Sequence, residues 1–117
     1  MNTERHRQLA EALDHILQTL ITQYRPEKVI LFGSMASGHV GEWSDLDLVI
    51  LKDTRRPFVE RSVEVGLLCR ARVGVDYLVY TPTEFEQMLS HKNLFILEEV
   101  IGKGKVLYER KPVTALA

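Results

Sequence analysis

Cysteine is nearly absent from this 117-residue chain, and Cys69 is the single thiol. One thiol excludes an intrachain disulfide and a thiolate zinc cluster, and it fits a reducing, cytoplasmic setting. Long apolar runs are missing as well. Leu48–Leu51 is as long as any, far short of the roughly 20 residues a membrane-spanning helix needs. The amino terminus (Met1-Asn2-Thr3-Glu4-Arg5-His6-Arg7) is polar and no signal-peptide core follows it, so no membrane partner is expected. Nor is there an excess of positive charge. Fifteen Lys+Arg stand against sixteen Asp+Glu, a net charge of −1. That argues against nucleic-acid binding through a broad basic face. No repeat, Pro/Gly/Ser-rich linker or shift of composition divides the chain, so residues 1–117 are expected to form a single domain. What remains is ordinary globular material, 45% apolar and 26% charged, enough to build a core without a disulfide or metal staple.

The apolar positions give an order of elements. Leu9, Leu13, Ile16, Leu17, Leu20, Ile21 and Tyr24 recur every three or four residues and predict an amphipathic helix over about Thr3 to Tyr24, ended by Pro26. Lys28–Phe32 is short, apolar and β-branched, a strand buried on both faces. Gly33-Ser34 ends it, and a helical turn is expected at Met35–Ser37. Asp45–Leu51 predicts a second strand, Pro57 to Arg70 a helix, and Val75–Tyr80 a third strand. Thr81 and Glu84 have the spacing of a capping box at the start of another helix. A further helix around Asn93–Ile101, a short strand at Lys105–Tyr108 and a frayed tail over residues 112–117 complete the chain. The sum is an α/β or α+β domain, a sheet covered by helices.

Three aspartates interrupt these apolar strands. Asp45 and Asp47 are two residues apart at a strand start. Side chains alternate along a strand, so both carboxylates share one face, with Cα atoms roughly 6–7 Å apart, while Leu46 and Leu48 face the core. Two like charges side by side are a poor structural choice unless a cation lies between them. Asp76 heads the third strand in Val-Asp-Tyr-Leu-Val-Tyr. If the strands are neighbours, three hard oxygen donors converge, a set that suits Mg²⁺ or Mn²⁺. Gly33-Ser34 lies at a strand-to-helix junction, where backbone N–H groups, the Ser34 hydroxyl and a glycine that permits close approach form a phosphate cradle. Cradle and carboxylates together describe a site for a nucleoside triphosphate held through a divalent cation.

The specific signal is the combination: Gly33-Ser34, then the ten residues Met35 to Ser44, then Asp45-Leu46-Asp47, with Asp76 on the next strand. With Gly33-Ser34-Met35-Ala36-Ser37-Gly38, Ser44-Asp45-Leu46-Asp47-Leu48-Val49 and Val75-Asp76-Tyr77-Leu78-Val79-Tyr80, the chain resembles the nucleotidyltransferase superfamily that includes DNA polymerase β. It is most similar to the small stand-alone members, the minimal nucleotidyltransferases, over about residues 5 to 108. The resemblance implies a mixed sheet with helices mainly on one face. It also implies divalent-metal-dependent transfer of a nucleoside monophosphate, AMP from ATP, to an acceptor hydroxyl. On that reading Asp45 and Asp47 hold two metal ions, and Asp76 holds the catalytic one and helps activate the acceptor. It further implies a partner, a small all-helical toxin of the HEPN type, which the nucleotidyltransferase neutralises as an antitoxin by binding and AMPylation. One position departs from the pattern. Ser37 stands where relatives often carry arginine, leaving Lys52, Arg70 and Arg72 as candidate substitutes.

Other readings stay open at this point. The chain could act as a module that binds a partner or a nucleotide without turnover, a reading the Ser37 departure favours. Nucleotidylation of a small molecule ranks lowest, unless a homo-oligomer supplies the missing acceptor pocket. Asp76 could be an ordinary ion-pair partner of Arg70 or Arg72. Trp43 fits a packing anchor, a partner contact or a base-stacking platform. The stripe Phe58, Val59, Val63 and Leu67 is expected in the core, as is Cys69. The run Phe95-Ile96-Leu97 exceeds what one helix face needs, and part of it suits an interface.

Overall fold

A computed structural model describes residues 2–111, so the tail whose fraying is expected, residues 112–117, lies outside the described residues. Helix α1 (Thr3–Thr19) begins at Asn2, whose side chain accepts the Arg5 N–H at 2.7 Å. It runs on as a wider π-helical turn, Leu20–Tyr24, and buries Leu9, Ile16, Leu20 and Tyr24. Strand β1 (Lys28–Phe32) follows, then the single turn α2 (Ser34–Ser37), β2 (Leu46–Leu51), α3 (Phe58–Cys69), β3 (Val75–Tyr80) and α4 (Pro82–Ser90). A π-helical segment, Phe95–Gly102, and strand β4 (Lys105–Glu109) close the order. The capping box at Thr81 and Glu84 is present in both directions.

The four strands lie in the order β3-β2-β1-β4. β1 runs antiparallel to β2 and β4, whereas β2 and β3 are parallel and joined across α3. Alternation along the strands splits the core in two. Val29, Leu31, Leu46, Leu48, Ile50, Tyr77 and Val79 pack with α1, Ala36 and the inner side of α3. Ile30, Phe32, Val49 and Leu51 pack on the other face against Phe85, Ile96 and Val100. The sheet is mixed, as expected. The larger helical layer covers one face, and α4 with the last helical segment forms a smaller layer on the other.

One expectation about a helix face needs correction. On α3 the stripe Val59, Val63 and Leu67 faces solvent, 73%, 60% and 65% exposed, with Phe58 exposed beside it. The buried face is Arg61, Val65 and Cys69. Periodicity alone allowed either face, and the choice was settled by an arginine that a hydropathy reading places outside. Arg61 is 5% exposed. Its guanidinium donates to the Val79 carbonyl at 3.1 Å, the Arg56 carbonyl at 2.8 Å and both Glu84 carboxylate oxygens, at 2.6 and 3.2 Å. A buried charge so fully paired holds its helix face inward. In the last helical segment Ile96 and Val100 are buried, while Leu94, Leu97 and Ile101 face outward.

The Arg61–Glu84 pair carries a pH-dependent share of stability. The hydrogen bonds from Arg61 hold the Glu84 carboxyl below its ordinary value of 4.5. A depressed carboxylate adds stability above its unfolded value and loses it as pH falls through the folded one. Glu84→Gln should cost about 1–2 kcal/mol at neutral pH, less than the 3–5 of a fully buried pair because Glu84 is partly solvated. In urea titrations the gap between the two proteins should close as the pH is taken below about 4.5. A gap that persists at low pH would show that the charge is not its source.

Candidate active site

The end of β1 and the starts of β2 and β3 meet at one edge of the molecule. Phe32 pairs with Asp47, and Asp47 pairs with Asp76, so three residues form one row across three strands. Residues in one row point to the same face. The Asp47 and Asp76 carboxylates are therefore side by side on the α4 face, in line with Val49 and Leu78 of the next row. Leu46 and Leu48 are fully buried on the opposite face.

Asp47 is half-buried, and Asp76 is exposed. Burial first, then the Asp76 charge, then that of Asp45 push the Asp47 carboxyl above the ordinary carboxylate range. The cause is a local excess of negative charge. Carboxylate oxygens in that number are donors for a small divalent cation, which would relieve the repulsion. By donor chemistry the set fits such an ion. The structure nevertheless does not bring all three carboxylates into one tight cluster. Among the described residues, no three His, Cys, Asp or Glu side chains stand close enough together to enclose an ion.

Asp45 accounts for the difference. β2 begins at Leu46, one residue later than the alternation predicts, so Asp45 precedes the ladder. Its carboxylate is exposed and accepts from Arg5 Nη2 at 3.3 Å, while Arg5 Nε donates to the Ser44 carbonyl at 2.8 Å. The side chain lies over Gly74, where an added Cβ would come within 2.7–2.9 Å of all three carboxyl atoms. Neither Arg5 nor Gly74 is marked by the sequence. Arg5 lies 40 residues upstream of its partner, and Gly74 reads only as a break before β3. Since Gly74 has no positive φ, Gly74→Ala is allowed by the backbone and displaces only the mobile end of Asp45. The expected result is a melting temperature within about 2 °C of the parent and a transfer rate lowered roughly tenfold or more. An unchanged rate would separate Asp45's orientation from the reaction.

Gly33 and Ser34 stand at the other side of Asp47. Gly33 has φ 78 and ψ −157, a region open in practice only to glycine. The close approach it permits is to Asp47 itself: an added Cβ would lie 2.2 Å from Asp47 Oδ2. The next helix, α2, has four residues, so its dipole contributes little. The phosphate cradle expected here would rest on the Ser34 and Met35 N–H groups and on the Ser34 hydroxyl, since the Ala36 and Ser37 N–H groups already donate to the Gly33 carbonyl at 3.1 and 3.0 Å. Ser37 Oγ donates to the Ser34 carbonyl at 3.2 Å and points to its own turn. Of the candidate substitutes for arginine there, Lys52 is at the far end of β2, donating to the Tyr24 carbonyl and lying 4.8 Å over the Tyr24 ring. Arg70 and Arg72 are exposed and, among the described residues, make no ion pair with Asp76. Trp43 is 86% exposed in the loop before Asp45, which removes the packing-anchor reading. His39 is exposed, and Cys69 is buried, as expected.

Comparison with known proteins follows the same lines. Residues 14–113 match the family described as "Polymerase beta, Nucleotidyltransferase". A protein of Methanocaldococcus jannaschii named "Putative protein adenylyltransferase" is 29% identical over 101 residues, covering 84% of this chain and 96% of its own length. A crystal structure titled as a putative nucleotidyltransferase from Sulfolobus solfataricus superposes with a TM-score of 0.64. It is 19% identical and covers 98% of this chain and 93% of its own, a likeness of fold.

Proposed function

This chain belongs to the polymerase beta nucleotidyltransferase family, and from that premise we propose that it moves AMP from ATP to a hydroxyl on a partner protein, a HEPN-type helical toxin that it neutralises as an antitoxin. The observation that carries the reading is the row Phe32–Asp47–Asp76 beside the Gly33–Ser34 bend. It sets two carboxylates next to a phosphate cradle. A divalent ion, Mg²⁺ or Mn²⁺, when bound there would neutralise the triphosphate and lower the pKa of the acceptor hydroxyl.

The chain's own groups have distinct tasks. The Gly33–Ser34 bend takes a phosphate oxygen through N–H and hydroxyl donors. Asp47, which the Gly33 backbone crowds, and Asp45, which Arg5 steadies, would hold the ion through their carboxylate oxygens. Asp76, the most exposed of the row's carboxylates, receives the proton of the acceptor hydroxyl. The bond formed joins the acceptor oxygen to the α-phosphorus, and the bond broken releases pyrophosphate.

A protein acceptor is supported by the name of the archaeal relative, which the chain matches over nearly its full length. A helical partner is supported by the exposed α3 stripe Val59, Val63 and Leu67, an i, i+4, i+8 face of the kind that packs against another helix. A second reading, neutralisation by binding without turnover, is favoured by the Arg5–Asp45 contact and by the Ser37 position. The test uses ATP labelled at the α- or the γ-phosphate, Mg²⁺ and the product of a neighbouring gene encoding a helical protein. Transfer of the α label alone is expected. Transfer of the γ label would mean phosphorylation, and neutralisation without either label would favour the binding module.

A further inference from the structure

Arg5, the partner of Asp45, also lines a groove of about 720 Å³ between α1 and the segment that joins α3 to β3. One wall carries Arg5, Gln8, Glu11 and His15, and the other Arg70 and Arg72. His15 fastens the walls together through a 3.0 Å hydrogen bond between Nε2 and the Cys69 carbonyl. Accounting for the charges one by one leaves an excess of cation. Glu11 is answered from outside the groove by Arg7, whose Nη1 lies 2.6 Å from it. Arg5 is engaged by Asp45 and by the Ser44 carbonyl. Arg70 spends only its Nε, on the Leu67 carbonyl at 3.2 Å. Arg72 makes no ion pair among the described residues and is exposed. A chain of net charge −1 therefore presents in one concavity two guanidinium groups that make no ion pair among the described residues. Their planar forks match carboxylates or phosphates in two-point contact, which lysine does not.

We infer that this groove holds an acidic segment of the acceptor protein and so delivers its hydroxyl to the aspartates; the inference rests on the nucleotidyltransferase reading of the site. Arg5 is the link between the two places, since it lines the groove and touches Asp45 Oδ1. A chain lying along Arg70 and Arg72 ends at the carboxylate that the proposed reaction uses. An acidic peptide is favoured over RNA by what lines the groove. No Phe, Tyr or Trp among the lining residues offers a base a stacking face, and the one imidazole there, His15, is tied to the Cys69 carbonyl, whereas the Gln8 amide N–H groups match a peptide carbonyl in hydrogen bonding. The balance of charge over the whole chain points the same way.

The test measures anisotropy of a fluorescein-labelled peptide with one tyrosine between runs of glutamate, alongside its lysine counterpart and a single-stranded RNA of equal charge. The glutamate peptide should bind, the lysine peptide should not, and affinity should fall as salt is raised. Arg70→Asn with Arg72→Ser should weaken peptide binding at least tenfold. Both sites are exposed, and asparagine accepts the left-handed backbone of Arg70 (φ 48), so the melting temperature should not change. The same variant should bind Mg²⁺-ATP as the parent does, and Asp47→Asn should bind the peptide as the parent does. Peptide binding indifferent to the two arginines, tighter binding of RNA through them, or a parallel loss of Mg²⁺-ATP affinity would overturn the inference. Peptide binding through the arginines in a protein that never binds Mg²⁺-ATP would support the groove and count against the nucleotidyltransferase reading alone.

Discussion

Asp47→Asn should lower AMP transfer on the order of several-hundred-fold and, in the absence of divalent ions, make the protein more stable. The two effects share one cause. Asp47 is the middle of the row, crowded by Asp76 beside it and Asp45 two residues back, and burial removes part of the water that would screen them. Each of those influences works against the ionised form, so at neutral pH the folded state carries a carboxylate that the unfolded chain holds more easily. Sign and window follow from the raised value: the cost is absent in acid and appears as pH rises through the folded pKa. An amide of the same shape removes it. Relief of one like-charge neighbour across strands is worth about 0.5–1 kcal/mol, or roughly 2–6 °C in a domain of this size. The function moves the other way, because the variant loses one of the charges that would hold the ion on which phosphoryl-type transfer depends. Two measurements check the pair: calorimetric melting in chelator, and α-label transfer with Mg²⁺. Adding Mg²⁺-ATP should raise the melting point of the parent and leave that of the variant unmoved. A variant no more stable than the parent would mean that the crowding is not felt; a variant that still transfers AMP would take Asp47 out of the reaction.

Why a destabilising carboxylate is visible in a sequence is itself instructive. Asp47 and Asp76 could be picked out because each breaks an apolar strand, and a strand's period of two leaves no doubt about which face each occupies. The strand assignments for β1 and β3 needed only composition and length, and the Thr81–Glu84 capping box only spacing. Contacts over long separations were not legible. Nothing near Arg5 tells that it crosses 40 positions to reach Asp45, and Gly74 looks like any other break. Helix faces were legible only where one reading was open. On α1 a single apolar stripe existed and was buried. On α3 two stripes competed, and a fully paired Arg61 won over Val59, Val63 and Leu67 because its hydrogen bonds to Glu84, Val79 and Arg56 replace what water would offer. The stripe left outside is the feature a second protein would cover, so the misread helix and the proposed partner surface are the same observation.

Gly33→Ala should be the most damaging single-atom addition at the candidate site. Gly33 takes φ 78 with ψ −157, and a residue with a Cβ in that region costs of order 1–3 kcal/mol before any contact is considered. The contact is then unavoidable. The new methyl carbon would lie 2.2 Å from Asp47 Oδ2, 3.0 Å from its Cγ and 3.3 Å from its Cβ. The far end of Asp47 can rotate, but its Cβ is fixed to a central strand between β1 and β3. Relief must therefore come from the carboxylate leaving its place in the row, or from β1 and β2 parting at the Phe32–Asp47 pair. Either outcome separates the phosphate cradle from the carboxylates. A displacement of about 1 Å is enough to lower a rate on the order of 100-fold. The expected result is a folded protein destabilised by about 2–3 kcal/mol with AMP transfer reduced at least 100-fold. Gly38→Ala is the matched control, since Gly38 also has a positive φ (83) but has nothing within 4 Å of an added Cβ. It should carry a milder backbone strain, since ψ 9 puts it in the left-handed helical region, and keep most of the activity. Equal losses of activity in the two variants would assign the effect to strain alone and would remove the Gly33–Asp47 contact from the account of the site.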